Sequence, residues 1–204
     1  MNRIEELIKT ITPKRLIISL VGGFIVGVGV MMLSISGLGA DAPTVFREGV
    51  FKTFGVSQGT VNIIMGVIMA VATYIMDYKQ LGIGTIANIF TMSCGMDLCK
   101  SVISGFEINA YLLLTFGLIV IAIGVGMQVA AKLGASYYDA FCLAGGKMIR
   151  KNYSIFRYPI DAICLIAGYL LKGTIGIGTI ICLLFIGPII DLGIKIFGII
   201  FKDL

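Results

Sequence analysis

Two aspartates, Asp97 and Asp191, are the residues of this sequence best suited to carry chemistry. Each precedes a leucine inside an apolar stretch and stands 13 residues beyond a glycine of a Gly-x-Gly motif. An acid within a membrane is costly and by default marks a polar pathway or a proton site. Lys100 at i+3 and Lys195 at i+4 offer a simpler role, a local ion pair near the interface. Both interpretations stay open.

The motif Gly-Ile-Gly-Thr occurs twice, at residues 82–85 and 176–179. Its glycines permit tight or positive-φ backbone, and Thr85 or Thr179 can cap the helix that follows. The free N–H groups of such a helix start can receive an anionic ligand group. Close helix packing also explains the glycines and is the simpler interpretation. Because the ligand interpretation also stays open, Gly84 and Gly178 remain candidate ligand contacts.

Three further polar residues have two interpretations each. Asp41 and Asp139 follow the two Leu-Gly-Ala bends, where they face a central cavity or sit in water. Asn88 lies in an apolar stretch, where an amide bonds across helices more often than it binds a ligand. The candidate substrate-binding residues are Asp41, Gly84, Thr85, Asn88, Asp97, Asp139, Gly178, Thr179 and Asp191.

Several kinds of chemistry are excluded or disfavoured. The chain has no histidine, which excludes imidazole-ligated zinc and Ser-His or Cys-His catalysis. A P-loop pattern is also missing, so we expect no ATP hydrolysis. The Met-Cys run at residues 92–99 does not recur in the second half, and we predict no metal, no cofactor and no enzymatic activity. Arg157 and Asp161, at i and i+4, are expected to form a structural ion pair.

The elements that position these residues are apolar stretches. Hydrophobic residues make up 58% of the 204 positions and charged residues only 13%, about half the share of a soluble domain. A stretch of around 20 apolar residues spans the hydrocarbon core of a bilayer as a helix. The predicted spans are Leu16–Ser36, Val56–Met76, Leu81–Cys99, Asn109–Ala131, Tyr153–Leu171 and Thr174–Ile194.

The chain repeats itself at offsets of 94–95 residues. Leu38-Gly39-Ala40 returns as Leu133-Gly134-Ala135, and Gly22 and Gly29 correspond to Gly117 and Gly124. Three spans are an odd number, so the second copy enters the membrane from the opposite side. The prediction is an all-α polytopic membrane protein of one domain, residues 1–204, whose six transmembrane helices form two inverted three-span repeats (about 16–105 and 109–201).

A short helix is predicted after the first span of each repeat, at Pro43–Phe54 and Tyr137–Lys151. At 12 to 15 residues these segments are too short to cross, so they are interfacial or re-entrant. In the first of them Arg47, Glu48 and Lys52 are expected to mark a wetter side. Residues 1–15 form a polar entry that suits an amphipathic surface helix.

Basic residues give the orientation. With a cytoplasmic N-terminus, the inner side holds 12 of the 16 lysines and arginines and the outer side holds 4, so both termini are expected in the cytoplasm. The net charge of +5 then reflects contact with anionic membrane lipids rather than nucleic acid. The five cysteines lie in or beside apolar stretches and imply packing, not disulfides.

The glycine-rich motifs resemble those of the YczE/YyaS/YitT-type bacterial membrane proteins. The resemblance rests on Gly37-Leu38-Gly39-Ala40-x-x-Pro43, on Leu81-Gly82-Ile83-Gly84-Thr85 and on residues 173–188, and covers nearly the whole chain after residue 15. It implies a small multi-span protein of the bacterial inner membrane, in a family presumed to transport. This chain has Thr44-Val45 after the proline, where such proteins often have an aromatic residue and an acid.

These observations favour a secondary transporter or permease of a small solute, with its site between the halves and alternating access by rocking of one half against the other. The alternative is a non-catalytic binding subunit or scaffold that works with a separate partner protein. The expected partners are membrane lipids and an unknown small solute, with a homo-oligomer or partner subunit left open. If either Asp97 or Asp191 couples to protons, its change to Asn should abolish gradient-driven uptake.

Overall fold

The computed structural model describes residues 12–201, except residues 135 and 152 and the side chains of residues 153, 154, 186–188 and 191. That part of the chain contains eight α-helices, one 3-10 turn at Tyr78–Gln80 and no strand, so the all-helical class is confirmed. Most of the predicted surface helix over residues 1–15 falls outside the described residues. The helices are α1 Pro13–Ile35, α2 Ala42–Phe54, α3 Gln58–Asp77, α4 Ile83–Ile103, α5 Ala110–Ala131, α6 Tyr137–Met148, α7 Tyr153–Leu170 and α8 Ile177–Ile200.

Local sequence signals set these bounds. The Thr12 hydroxyl oxygen accepts a hydrogen bond from the Arg15 N–H at 3.3 Å, and Pro13 occupies the first turn of α1, where no N–H is needed. Asn109 Oδ1 accepts from the Tyr111 N–H at 2.9 Å at the start of α5. Gly55, with φ of 72°, ends α2 in the left-handed region that favours glycine. Capping side chains and glycines therefore delimit the apolar runs.

Three described helical segments are long and apolar enough to cross a membrane: Pro13–Ile35, Gln58–Gln80 and Ala110–Ala131. Large apolar side chains also cover much of the outer surface, with Ile75, Leu170 and Ile199 each about three-quarters exposed. A soluble protein rarely exposes so continuous an apolar surface. The surface suits the bilayer as its solvent.

The two helices α1 and α5 pack against each other at the centre of the fold. Glycines allow this close approach: a Cβ built on Gly22 would lie 2.8 Å from the Gly124 carbonyl oxygen, and one on Gly29 would lie 2.8 Å from that of Gly117. Around them Val30, Leu33, Leu118 and Ile121 belong to the main buried cluster. The four glycines that the repeat pairs in sequence thus form two contacts in space.

The two halves have matching contacts, both within each half and between the halves. Helix α4 packs on α1 as α8 packs on α5, and α2 packs on α7 as α6 packs on α3. At the bends, the Gly84 N–H donates to the Leu133 carbonyl at 3.0 Å and the Gly178 N–H donates to the Leu38 carbonyl at 2.7 Å. Each Gly-Ile-Gly-Thr motif therefore binds the Leu-Gly-Ala bend of the other half.

The predicted exposure of the charged residues on helix α2 is wrong for two of the three. Arg47 and Glu48, predicted on a wetter side, are buried, and only Lys52 of the three is exposed. The periodicity of a 13-residue helix cannot show that neighbouring helices carry polar partners for these side chains. Those partners make burial of the charges possible.

Candidate functional site

Arg47 is the centre of a buried polar network between four helices. Its side chain is 2% exposed. Nη2 donates to the Thr44 hydroxyl at 2.6 Å, and Nη1 donates to the Tyr137 hydroxyl at 3.2 Å and to Asn62 Oδ1 at 3.4 Å. Nε is buried and has no hydrogen-bond partner in the part of the chain that the structure describes. Among the described residues, no carboxylate lies within 4.0 Å of the guanidinium.

The start of α2 sets the position of the guanidinium. Thr44 and Arg47 are three residues apart in a helix, which places them on the same face. The Thr44 hydroxyl donates to Asp41 Oδ1 at 2.6 Å, just before the first turn. The nearest negative charge that the network contacts is thus separated from the guanidinium by a hydroxyl group.

Asn62 and Tyr137 close the network from other helices. The Tyr137 hydroxyl, at the start of α6, donates to Asn62 Oδ1 at 2.6 Å. Asn62 Nδ2 donates to the Ser93 hydroxyl of α4 at 2.9 Å and to the Ile89 carbonyl at 3.3 Å. Asn62 is fully buried. The network therefore joins α2, α3 and α4 of the first half to α6 of the second half.

The neighbouring acid of Arg47 does not neutralise it. Glu48 Oε1 accepts from Lys52 Nζ at 2.6 Å and from the Thr174 hydroxyl at 2.7 Å, and Oε2 accepts from the Thr174 N–H at 3.2 Å. Glu48 thus forms its own charge pair with Lys52 of the same helix and bonds Thr174 in the segment between α7 and α8. Burial of an unpaired charge costs several kcal/mol. Arg47 combines that cost with three neutral oxygen partners, the side chains of Thr44, Tyr137 and Asn62.

A second polar cluster lies on α6 and α7. Arg157 Nη1 contacts Asp139 Oδ1 at 3.1 Å, and its Nε contacts Asp161 Oδ2 at 3.3 Å. The Tyr138 hydroxyl donates to Asp161 Oδ1 at 2.5 Å. The predicted ion pair of Arg157 and Asp161 is confirmed. Here two carboxylates surround one guanidinium, so this cluster lacks the unbalanced positive charge of the Arg47 network.

An apolar cavity of about 560 Å³ lies between α2, α3 and α7. Its wall contains Phe46 and Val61, the immediate sequence neighbours of Arg47 and Asn62. Cys164 of α7 also lines it. Within the described residues, the side chains of Thr44, Arg47, Asn62 and Tyr137 do not line the cavity.

The predicted candidates are dispersed over the fold. Asp41 joins the Arg47 network through Thr44, and Asp139 joins the Arg157 cluster. Thr85 and Thr179 cap α4 and α8 as expected, since their hydroxyls accept from the Gly82 and Gly176 N–H groups at 3.2 and 3.4 Å. Gly84 and Gly178 bind the bends, as described above.

The remaining candidates lie elsewhere. Asn88 is buried, and neither of its side-chain polar atoms has a hydrogen-bond partner within residues 12–201 as the structure describes them. Asp97 is exposed and accepts from the Ser57 hydroxyl at 3.2 Å and the Gly59 N–H at 3.3 Å at the start of α3. The expected partner Lys100 lies instead over the Phe51 ring, 3.4 Å from its centroid. Asp191 lies in α8, and its side chain is outside the described residues.

Sequence reasoning did not select the residues that the fold brings together. Arg47 is predicted on a wetter side, and neither Asn62 nor Tyr137 is among the predicted candidates. One signal was available, because Asn62 is a strongly polar residue within an apolar run. Within the described part of the chain, no three His, Cys, Asp or Glu side chains are grouped to hold a metal ion.

Comparison with known proteins gives the family. The profile of a family of unknown function (DUF6198) matches residues 13–195. This chain belongs to that family. It is 25% identical to the uncharacterized protein YyaS of Bacillus subtilis over 167 residues, covering 76% of this chain and 83% of YyaS. It is 26% identical to the uncharacterized membrane protein YczE of the same organism over 155 residues, covering 75% and 72% of the two chains.

An uncharacterized protein of Haemophilus influenzae is 20% identical over 174 residues, covering 84% of this chain and 79% of the relative. No solved structure gives a significant match. The resemblance to YczE/YyaS-type proteins is confirmed. With its apolar helices and a membrane protein among its relatives, the chain is an integral membrane protein.

Proposed function

We propose that this chain is a secondary transporter, not an enzyme, that carries a small anionic solute across the cell membrane and binds it at Arg47. The observation that carries the proposal is the buried guanidinium with a free Nε and no carboxylate within 4.0 Å among the described residues. An ionisable group inside a membrane protein by default marks a substrate or ion pathway. A guanidinium binds carboxylate, sulfonate and phosphate through paired hydrogen bonds.

The proposed architecture is six membrane-crossing helices in two inverted repeats, with both termini in the cytoplasm and α2 and α6 as re-entrant helices. The reciprocal packing of the halves supports this arrangement. Helices α2 and α6 meet through Arg47 and Tyr137, whereas Lys52 near the end of α2 contacts Thr174 and Lys147 near the end of α6 contacts Asp77. Short helices that meet at a central site and end at opposite faces are typical of inverted-repeat transporters.

Alternating access in this scheme comes from movement of one half against the other around the Arg47 network. The network joins both halves through the hydrogen bonds of Tyr137 to Asn62 and Arg47. An anion bound between the halves would therefore contact groups that move relative to each other. This coupling is what a carrier needs, because a bound solute must bias which side of the site is open.

The test measures thermal stability of the purified protein with anions, cations and neutral solutes. A thiol-reactive dye reports unfolding, because Cys99, Cys142 and Cys182 are buried in the fold. Acetate, phosphate, sulfate and methanesulfonate cover the anion geometries; ammonium and glycerol are the controls. We expect one or more anions to raise the melting temperature. A ligand at a hundred times its Kd stabilises by about 2.7 kcal/mol.

Two variants make the test specific. Arg47→Gln should lose the anion effect and keep, or exceed, the unliganded melting temperature, because it removes a buried charge. Arg150→Gln is the matched control, since Arg150 is exposed at the end of α6. Anion stabilisation that is equal in all three proteins would contradict the proposal. Binding without uptake into proteoliposomes would favour the alternative, a binding subunit that needs a partner protein.

A further inference from the structure

Three polar side chains from two helices converge on Gly23 of α1. A Cβ built on this glycine would contact the Thr91 hydroxyl oxygen and would lie 2.6 Å from Asn88 Oδ1, both on α4. The same Cβ would lie 3.3 Å from Gln128 Nε2 on α5. Asn88, Thr91 and Gln128 are called the amide cluster below. Because Gly23 has no side chain, the three polar groups can share the space beside its backbone.

The amide cluster is buried and incompletely bonded. Asn88 is 3% exposed and Gln128 is 7% exposed. Neither Oδ1 nor Nδ2 of Asn88 has a hydrogen-bond partner among the residues that the structure describes. The Thr91 hydroxyl donates to the Ala87 carbonyl at 3.2 Å, so its oxygen remains available to accept a hydrogen bond or to bind a cation. The cluster therefore presents buried oxygens whose desolvation is costly unless something binds them.

The position of the amide cluster is central in the fold. Gly23 lies near the middle of α1, a 23-residue helix that is long and apolar enough to cross a membrane. Asn88 and Thr91 belong to the first half of the chain, whereas Gln128 belongs to the second half. The cluster thus lies where the two halves pack together. In transporters built from inverted repeats, sites for coupling ions lie near the bilayer midplane at this interface.

From this arrangement we infer that the amide cluster binds a sodium ion. Its side-chain ligands are Asn88 Oδ1, the Thr91 hydroxyl oxygen and the amide oxygen of Gln128, which faces the ion once the amide turns over. Hard cations bind oxygen ligands, and divalent sites of Ca²⁺ or Mg²⁺ are usually built with carboxylates. A cluster of neutral oxygens therefore suits a monovalent cation, and close convergence on one glycine suits a small one.

The sodium site is separate from the anion site. Asn62 of the Arg47 network bonds Ser93 of α4 at 2.9 Å, whereas Asn88 of the same helix faces Gly23 of α1. Binding of sodium here does not depend on the proposed function, but its role in transport rests on that function. An anion that crosses together with a sodium ion moves no net charge, so the membrane potential does not oppose the step.

The experiment measures thermal unfolding of the purified protein with the thiol-reactive dye. Sodium chloride is exchanged stepwise for N-methyl-D-glucamine chloride at constant total chloride, and potassium chloride serves as the control for ion size. Stabilisation by a ligand that binds only the folded state grows with the logarithm of its concentration. Above the Kd, each tenfold increase in sodium should raise the melting temperature by roughly 3–5 °C. Potassium should raise it less.

Three variants locate the effect. Asn88→Leu and Thr91→Val remove a ligand with little change in volume, and both should lose the sodium shift. Thr115→Val is the matched control, since Thr115 is an exposed residue of α5 whose hydroxyl donates to the Tyr111 carbonyl as that of Thr91 does to Ala87. This control should keep the full shift. In sodium-free buffer, Asn88→Leu should be at least as stable as the wild type, because it removes an unbonded buried amide.

The outcomes separate this site from the proposed function. Equal melting temperatures in sodium and N-methyl-D-glucamine would overturn the inference, and water alone would then occupy the cluster. A sodium shift that persists in both Asn88→Leu and Thr91→Val would overturn the location, and an equal shift with potassium would overturn the choice of ion. Arg47→Gln should keep the sodium shift. The proposed function fails instead when anion stabilisation persists in Arg47→Gln, whatever the response to sodium.

Discussion

A methyl group added at Gly29 should separate the two central helices. The Cβ of an alanine there would lie 2.8 Å from the Gly117 carbonyl oxygen and 2.9 Å from the Ile121 backbone nitrogen on α5. Both are backbone atoms, which cannot rotate away as a side chain can. Ordinary van der Waals contact begins near 3.4 Å, so the helices must move apart by about 0.6 Å.

The expected cost of Gly29→Ala follows from this movement. A gap of 0.5–1 Å forfeits about a quarter to a half of each dispersion contact along the interface, and overpacked sites typically lose about 1–3 kcal/mol. For a chain of this length such a loss lowers the melting temperature by roughly 2–12 °C. Gly22→Ala should behave alike, because its Cβ meets the Gly124 carbonyl oxygen at the same 2.8 Å.

The assay compares melting temperatures by the thiol-reactive dye for the wild type, Gly29→Ala and a matched control. Gly198→Ala is that control, since Gly198 lies in α8 and no atom of the described residues comes within 4 Å of its built Cβ. Alanine is a better helix former than glycine, so the control should be neutral or slightly stabilising. Unchanged stability of both Gly29→Ala and Gly22→Ala would refute the packing of α1 on α5 described above.

Three further predictions use the same assay. In sodium-free buffer, Asn88→Leu should leave the melting temperature unchanged or raise it, because a buried amide without partners among the described residues costs about 1–3 kcal/mol of stability. A clear fall in melting temperature would show that the amide forms a hydrogen bond in the fold. Asp97→Ala should lower the free energy of unfolding by about 1 kcal/mol, because it removes the acceptor of the Gly59 N–H at the start of α3. Uptake of solute by this variant should be retained. Loss of uptake without loss of stability would favour the proton role instead. Gly134→Ala should destabilise, since its φ is 125° and its Cβ would lie 2.5 Å from the Thr85 hydroxyl oxygen. Gly105→Ala is the control, because its built Cβ meets no described atom within 4 Å. Equal melting temperatures for these two variants would contradict the contact between the bend and the Gly-Ile-Gly-Thr motif.

Much of the fold was predictable because its signals are local. Apolar runs ended by Gly, Pro, Asn or Ser gave the helices to within a few residues; for example, Asn109–Ala131 was expected and Ala110–Ala131 is found. The repeat also paired Gly22 with Gly117 and Gly29 with Gly124 in sequence. Spatially, Gly22 meets Gly124 and Gly29 meets Gly117. This crossing over is expected of two related copies that pack antiparallel.

The centre of the candidate site was not predictable, because it depends on tertiary contacts. Arg47 looks like a surface residue on a short amphipathic helix, and only the approach of α3 and α6 gives it the oxygens of Asn62 and Tyr137. Conversely, the recurrence of Asp-Leu in both halves predicts a functional role for Asp97 and Asp191. Asp97 is exposed and bonds the start of α3, a role that its spacing from Gly84 could not reveal.

The most direct test of the central claim is uptake of a radiolabelled anion into proteoliposomes. The anion is the panel member that stabilises the wild type most, and the proteins compared are the wild type, Arg47→Gln and Arg150→Gln at equal reconstitution. The account predicts saturable uptake by the wild type and Arg150→Gln, and none above protein-free liposomes by Arg47→Gln. Equal uptake by Arg47→Gln and the wild type would contradict it.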